Sequence, residues 1–182
     1  MEYKPWEEYP EFWKTEAAFW AYLRGALRRG LWEKSPIKLD FKNKTCHPPP
    51  SDYTGRAKSG AFCALTGEFT GKSKTEVDHV IGNKSLSCWE DVLPFIFHLV
   101  PPKGSLQLVD KEAHKIKSYA EKMNISFEEA VLVKQSIAWE KEVKGVTKQR
   151  KWLASKGVEN TSSLKGKDIR NAYIEYLKSL EG

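Results

Sequence analysis

The side chains best equipped for chemistry are Asp78 and His79, adjacent in Glu76-Val77-Asp78-His79-Val80, and His114, in the run from Ser105 to Lys117. The first stretch alternates as a short strand that ends on an acid and an imidazole. The second reads as a strand running into a polar helix with His114 near its start. Side chains alternate across a strand, so two strands and a helix can bring Asp78 and His114 to one point. His79, on the opposite pleat, then faces a neighbouring point. A carboxylate and an imidazole that converge beside a second imidazole form a plausible one-metal hydrolytic site.

These residues need a frame. Residues 1 to 11 are acidic and aromatic, with Pro5 and Pro10, and predict an extended arm. Ala18, Phe19, Tyr22, Leu23, Ala26 and Leu27 recur at helical spacing and predict a helix from Thr15 to about Leu31. Arg24, Arg28 and Arg29 at its basic end could line a phosphate backbone, or could simply complement the helix dipole. Residues 34 to 60 read as a long connector, with Pro48-Pro49-Pro50 favouring extended geometry and Cys46-His47 acting as a structural tether. Alternation at 61 to 65 and 75 to 80, around Gly67 and Gly71, predicts a hairpin. Ser87 with Glu90 has the form of a capping box before a short apolar helix kinked at Pro94, in which His98 reads as a core or boundary residue. Pro101-Pro102-Lys103-Gly104 then turns the chain into the second strand.

Beyond the expected helix at 111 to 122, Ser126 with Glu129 is a second capping box and starts a helix that ends near Gly145. Two more helices are expected at 148 to 156 and 167 to 180. From Lys141 onward there are ten Lys/Arg against five Asp/Glu, so this part reads as a basic helical annex. The expected division is an arm, helix and connector over 1–60, a core over 61–124 and a basic helical extension over 125–182. The class is α+β.

The 182 residues suffice for one domain with a real core plus an appendage. A net charge of +6 and a pI near 9.1 favour a polyanionic partner. No apolar run approaches the ~18 residues of a membrane span, and the first residues lack a signal-peptide layout, so a cytoplasmic location is expected. Three cysteines at unrelated spacings, Cys46, Cys63 and Cys88, argue against a disulfide framework.

The sequence resembles the HNH endonucleases, and among them the compact phage-type members. The resemblance rests on Val77-Asp78-His79-Val80, on the run from Gly104 to Lys117, and on Cys63-Ala64-Leu65-Thr66-Gly67 where members carry a cysteine knuckle. The helix at 19 to 29 is also similar to their leader helix, and together these cover roughly residues 19 to 120. The resemblance implies a ββα-metal core and metal-dependent hydrolysis of DNA as endonuclease or nickase, with double-stranded DNA as the expected substrate and products with 5′-phosphate and 3′-hydroxyl ends. It implies a phage or mobile element as source, and hence a bacterial host cytoplasm. His79 would be the general base, and Asp78 and His114 would hold one divalent cation. Magnesium is the expected ion, and manganese or nickel could substitute. Lys115 or Lys117 could touch the neighbouring phosphate, and Lys117 matches a lysine frequent in the family.

Two departures stand out. The zinc positions of the family fall on Cys63, Thr66, Asp110 and Ala113, which leaves one sulfur and argues against a structural zinc. The asparagine that steadies the base histidine falls on Ser105, a shorter hydrogen-bonding group, and Asn83 is a second source of an amide. These departures motivate an alternative: a catalytically weak or dead scaffold that binds nucleic acid or a protein partner in packaging or counter-defence. An RNA-directed nuclease is a third reading. The annex, through Gln149 to Gly157 and Leu164 to Arg170, is similar in a few apolar positions and lysines to the two-helix SAP-type DNA-binding fold, which would bring Arg150 and Lys151 to DNA. A helical hairpin covering an exposed face is the other reading of that segment.

Overall fold

Thr15 opens the first long helix. Its hydroxyl accepts from the Ala18 N–H, and α2 (Glu16–Leu27) follows, after a short α1 (Pro5–Glu8). The computed structural model describes residues 3–181 apart from 83 and 103. The Asn83 amide, considered above as a substitute for asparagine, lies outside the described residues, as does Lys103. The chain divides into two units, one ending at His114 and the other starting at Lys115. The architecture is α+β: mostly helical, with two small antiparallel sheets.

In the first unit, α2 runs on into a π-helical stretch, Arg28–Glu33, and then α3 (Pro36–Thr45). The expected extended arm is in part helical, because Pro5 occupies the first turn, where its missing N–H costs nothing. The expected connector holds a full helix for a similar reason. Ser35 caps it by accepting from the Lys38 N–H, and Pro36 is pre-set for its first turn. The prolines at 48 to 50 lie outside any helix or strand, and His47 bridges to Gly60.

The strands are β1 (Gly60–Phe62), β2 (Phe69–Gly71), β3 (Thr75–His79) and β4 (Leu106–Asp110). The hairpin joins β1 to β2, so the presumed turn region supplies its second strand. β3 pairs instead with β4, in antiparallel register Thr75–Asp110, Val77–Leu108 and His79–Leu106. Between these last two strands, the Ser87 N–H and hydroxyl both donate to Asp91 Oδ2, at 2.9 and 2.8 Å. Asp91, not Glu90, is therefore the partner of Ser87, and α4 (Val92–Leu99) follows a single 3-10 turn. Pro94 lies in its first turn, where its missing N–H breaks no intrahelical bond. α5 (Lys111–Met123) starts directly after β4, capped by Asp110, whose Oδ1 accepts from the Glu112 and Ala113 N–H groups.

Two apolar clusters hold this unit. Phe19, Trp20, Leu86, Phe95 and Leu99 form one, ringed by Trp6, Trp13, Trp32 and Trp89. Ala61, Val77 and Leu108 form the other, with Trp32, Phe41 and Cys46 packed on it. Phe41 and Cys46, from the expected connector, thus supply core to the sheet that carries Asp78.

The second unit contains the rest of α5, α6 (Phe127–Glu142), α7 (Val146–Ser155) and α8 (Lys167–Glu181). The Ser126–Glu129 capping box is complete in both directions. Trp139, Leu153 and Ile169 are buried together, and Trp139 stacks on Tyr173 at 4.3 Å. Among the described residues, no helix is long and apolar enough to cross a membrane.

Candidate functional site

Strand alternation puts Glu76 and Asp78 on one pleat of β3, and the first turn of α5 lays His114 against that pleat. His114 lies between the two carboxylates. Its Nδ1 is 2.7 Å from Glu76 Oε2 and its Nε2 is 3.4 Å from Asp78 Oδ1. Hydrogen bonding to Asp78 comes first, with a further contribution from Glu76, and these outweigh the opposing effect of burial. The imidazole is pushed up from 6.5 to about 9. At neutral pH the ring is a cation that donates from both nitrogens.

Gln107 stands directly across from Asp78 in the β3–β4 register. Its side-chain amide donates to Asp78 Oδ2 at 3.0 Å and reaches the His79 carbonyl at 3.4 Å. Asp78 is only 8% exposed and so has one oxygen held from β4 and the other facing His114. The positioning groups Glu76 and Gln107 were absent from the sequence reading. Both were accessible to it in principle: Glu76 shares the pleat of Asp78 by simple alternation, whereas Gln107 needed the register.

The opposite pleat carries His79, which is 8% exposed and stacked between two rings. Trp32 lies 4.2 Å away between centroids at 29°, and His98 lies 3.9 Å away at 26°. Of the two expected readings, core or boundary, His98 takes the boundary one. It is half-buried and, with His79 and Ser105, lines a cleft of about 560 Å³. Ser105 accepts from the Val80 N–H through its carbonyl, just past the end of β3. The structure thus brings Asp78 to His114, and His79 to Trp32, His98 and the cleft, with the two groups on either side of one strand. Trp32 stacks on His79 and also lines the recess that holds Glu76 and His114.

The basic residues are distributed differently. Arg24 is half-buried and Arg28 and Arg29 are exposed, the latter two in the π-helical stretch, not on a continuous α-helical face. The Arg28 guanidinium also sits 5.9 Å from the Phe95 ring. Lys115 is exposed, whereas Lys117 is largely covered and lies 3.4 Å from Glu121. In the second unit Lys151 is exposed, but the Arg150 guanidinium donates twice to the Leu164 carbonyl and so ties α7 to the loop before α8.

The positions that matched a zinc knuckle do meet in part, since Cys63 Sγ accepts from the Asp110 N–H at 3.2 Å. The Asp110 carboxylate caps α5 and Ala113 is buried. Among the described residues, no group of three or more His, Cys, Asp or Glu side chains is arranged to hold a metal. Two donors, Asp78 and His114, do fit a cation with open positions. Ligands about 2.1 Å from a shared ion, at angles of 90–110°, lie about 3.0–3.4 Å apart, and the observed spacing is 3.4 Å. No family model, no curated protein and no solved structure matches the chain.

Proposed function

We propose that this protein is a metal-dependent DNA endonuclease or nickase built on a ββα-metal core formed by β3, β4 and the start of α5. The observation that carries the reading is His114 seated between Glu76 and Asp78, with Nε2 directed at the Asp78 carboxylate and the Asp78-His79 pair at the strand end. Asp78 and His114 would hold the ion, and Glu76 would keep a proton on Nδ1 so that Nε2 presents its lone pair. Such an ion, when bound, supplies positive charge to the phosphoryl oxygens and to the leaving 3′ oxygen. Magnesium is the expected species.

The chain's own groups do the rest. His79, with its ring plane set by Trp32 and His98 and among the residues that line the cleft, takes the proton from the attacking water. Gln107 steadies both halves of the pair, through the Asp78 carboxylate and the His79 carbonyl. It supplies the amide that Ser105 lacks. In-line attack then leaves a 5′-phosphate and a 3′-hydroxyl.

One observation favours the second reading, a nucleic-acid-binding scaffold without catalysis: His79 is covered by two stacked rings on the far pleat from His114. Incubation of supercoiled plasmid with the protein in magnesium, manganese, nickel or EDTA, beside His79→Ala, decides between the two. Metal-dependent nicking or linearisation that the substitution removes is the expected result. Salt-sensitive DNA binding with no cleavage in any metal would replace the enzyme by the scaffold.

A further inference from the structure

Beside His114 lies a recess of about 380 Å³ lined by Lys38, Lys42 and Lys111, together with Trp32, Glu76 and His114 itself. Lys38 and Lys42 are four residues apart on α3 and so share a face, and Lys111 enters from the first position of α5. We propose that this recess seats a backbone phosphate of duplex DNA, adjacent to the phosphate that reaches Asp78 and His114. The inference rests on the nuclease reading for the identity of its ligand.

The charges inside the recess are not balanced by its own carboxylates. Glu76 is already committed to His114 at 2.7 Å, and Glu33, the other acid on the lining, is exposed. Neither Lys38 nor Lys111 makes an ion pair among the described residues. The Lys38 ammonium lies 4.8 Å from the Trp32 ring centroid, which steadies a cation without neutralising it. The Lys42 ammonium donates to the Thr75 carbonyl, so it is held in place at the floor. Burial first, and then the like charges of Lys111 and Lys72, press its pKa down from the ordinary lysine value. Three lysines lining one recess repel one another, and an anion among them relieves that repulsion. A phosphodiester is the anion that the neighbouring Asp78–His114 pair calls for, and its oxygens accept from ammonium groups.

The test is fluorescence-anisotropy titration of a labelled 20-bp duplex in EDTA, over a series of KCl concentrations. Wild type is compared with Lys38→Gln/Lys111→Gln and with Lys58→Gln, an exposed lysine elsewhere on the first unit. Lys42 is left intact because its hydrogen bond to Thr75 supports the fold. The double variant is expected to bind more weakly, with the slope of log K against log salt reduced in size by about 1 to 2. Lys58→Gln is expected to keep the wild-type slope. An unchanged slope in the double variant, or an equal loss in Lys58→Gln, overturns the seat and leaves the nuclease reading standing. Wild-type protein that shows no salt-sensitive binding to the duplex overturns the nuclease reading itself, and the seat falls with it.

Discussion

Raising the pH of the metal-free protein should remove the attraction that holds α5 to β3 through His114. In the folded chain the imidazole titrates at about 9, against an ordinary value of 6.5, because Asp78 and Glu76 stabilise its charged form. The stabilisation is therefore fully present below pH 6.5 and is lost as the pH rises through about 9. That interval corresponds to about 3 kcal/mol if taken whole. The His114 side chain is 32% exposed and that of Glu76 39%, so solvent screens the pair and about 1–2 kcal/mol is the better expectation. Urea unfolding in EDTA at several pH values, with wild type beside His114→Gln, isolates the contribution, because every other titrating group is common to both chains. The stability difference should shrink by about 1–2 kcal/mol between pH 6.5 and 9.5. A difference that stays constant, or that grows with pH, refutes the assignment. The same proton competes with a metal for Nε2. Binding of Mn²⁺, followed by calorimetry, should tighten about tenfold per pH unit from 7 to 9 and then level off.

Two shorter predictions concern support. Gln107→Ala removes two hydrogen bonds around Asp78 and His79 and should cost about 1–2 kcal/mol of stability and most of the cleavage activity, while Ser105→Ala changes both far less; comparable losses from the two would return the amide role to Ser105. Ser126→Ala opens the capping box of α6 and should lower stability by about 1 kcal/mol in urea unfolding, without changing metal binding.

Where the sequence was legible, the interactions were local. Ser126 and Glu129, or Thr15 and the helix after it, declare themselves within four residues, because a cap joins near neighbours along the chain. The strands at 75–79 and 106–110 and the helix behind the second were legible from alternation, but their pairing was not: the expected hairpin of 61–65 with 75–80 gives way to β1 with β2 and β3 with β4. The failures have two origins. The helix at 36–45 was hidden by attention to the prolines beyond it, although Ser35-Pro36 is itself a helix start. The roles of Trp32, His98 and Gln107 could not be read at all, since each depends on which side chain faces it across the fold. His98 in particular lies in an apolar run and looks like core until α4 lays it on His79.

The arrangement around β3 has a consequence for how a substrate must approach. Alternation places the Asp78–His114 pair and the His79 ring on different sides of the strand, and the two sides meet in sequence at the strand's end, where Asp78 is followed by His79. Gln107 grips both residues at that end, and Ser105 pairs with Val80 immediately beyond it. Under the proposed nuclease reading, a scissile phosphate that is to meet both the Asp78–His114 pair and His79 would sit over the strand terminus. Trp32, which stacks on His79 and also lines the lysine recess by Glu76 and His114, then forms the wall between base and phosphate seat. In that reading, the stacked rings on one side and the lysines on the other would restrict how the DNA backbone crosses this point. Such fixed geometry is what in-line attack by a positioned water requires.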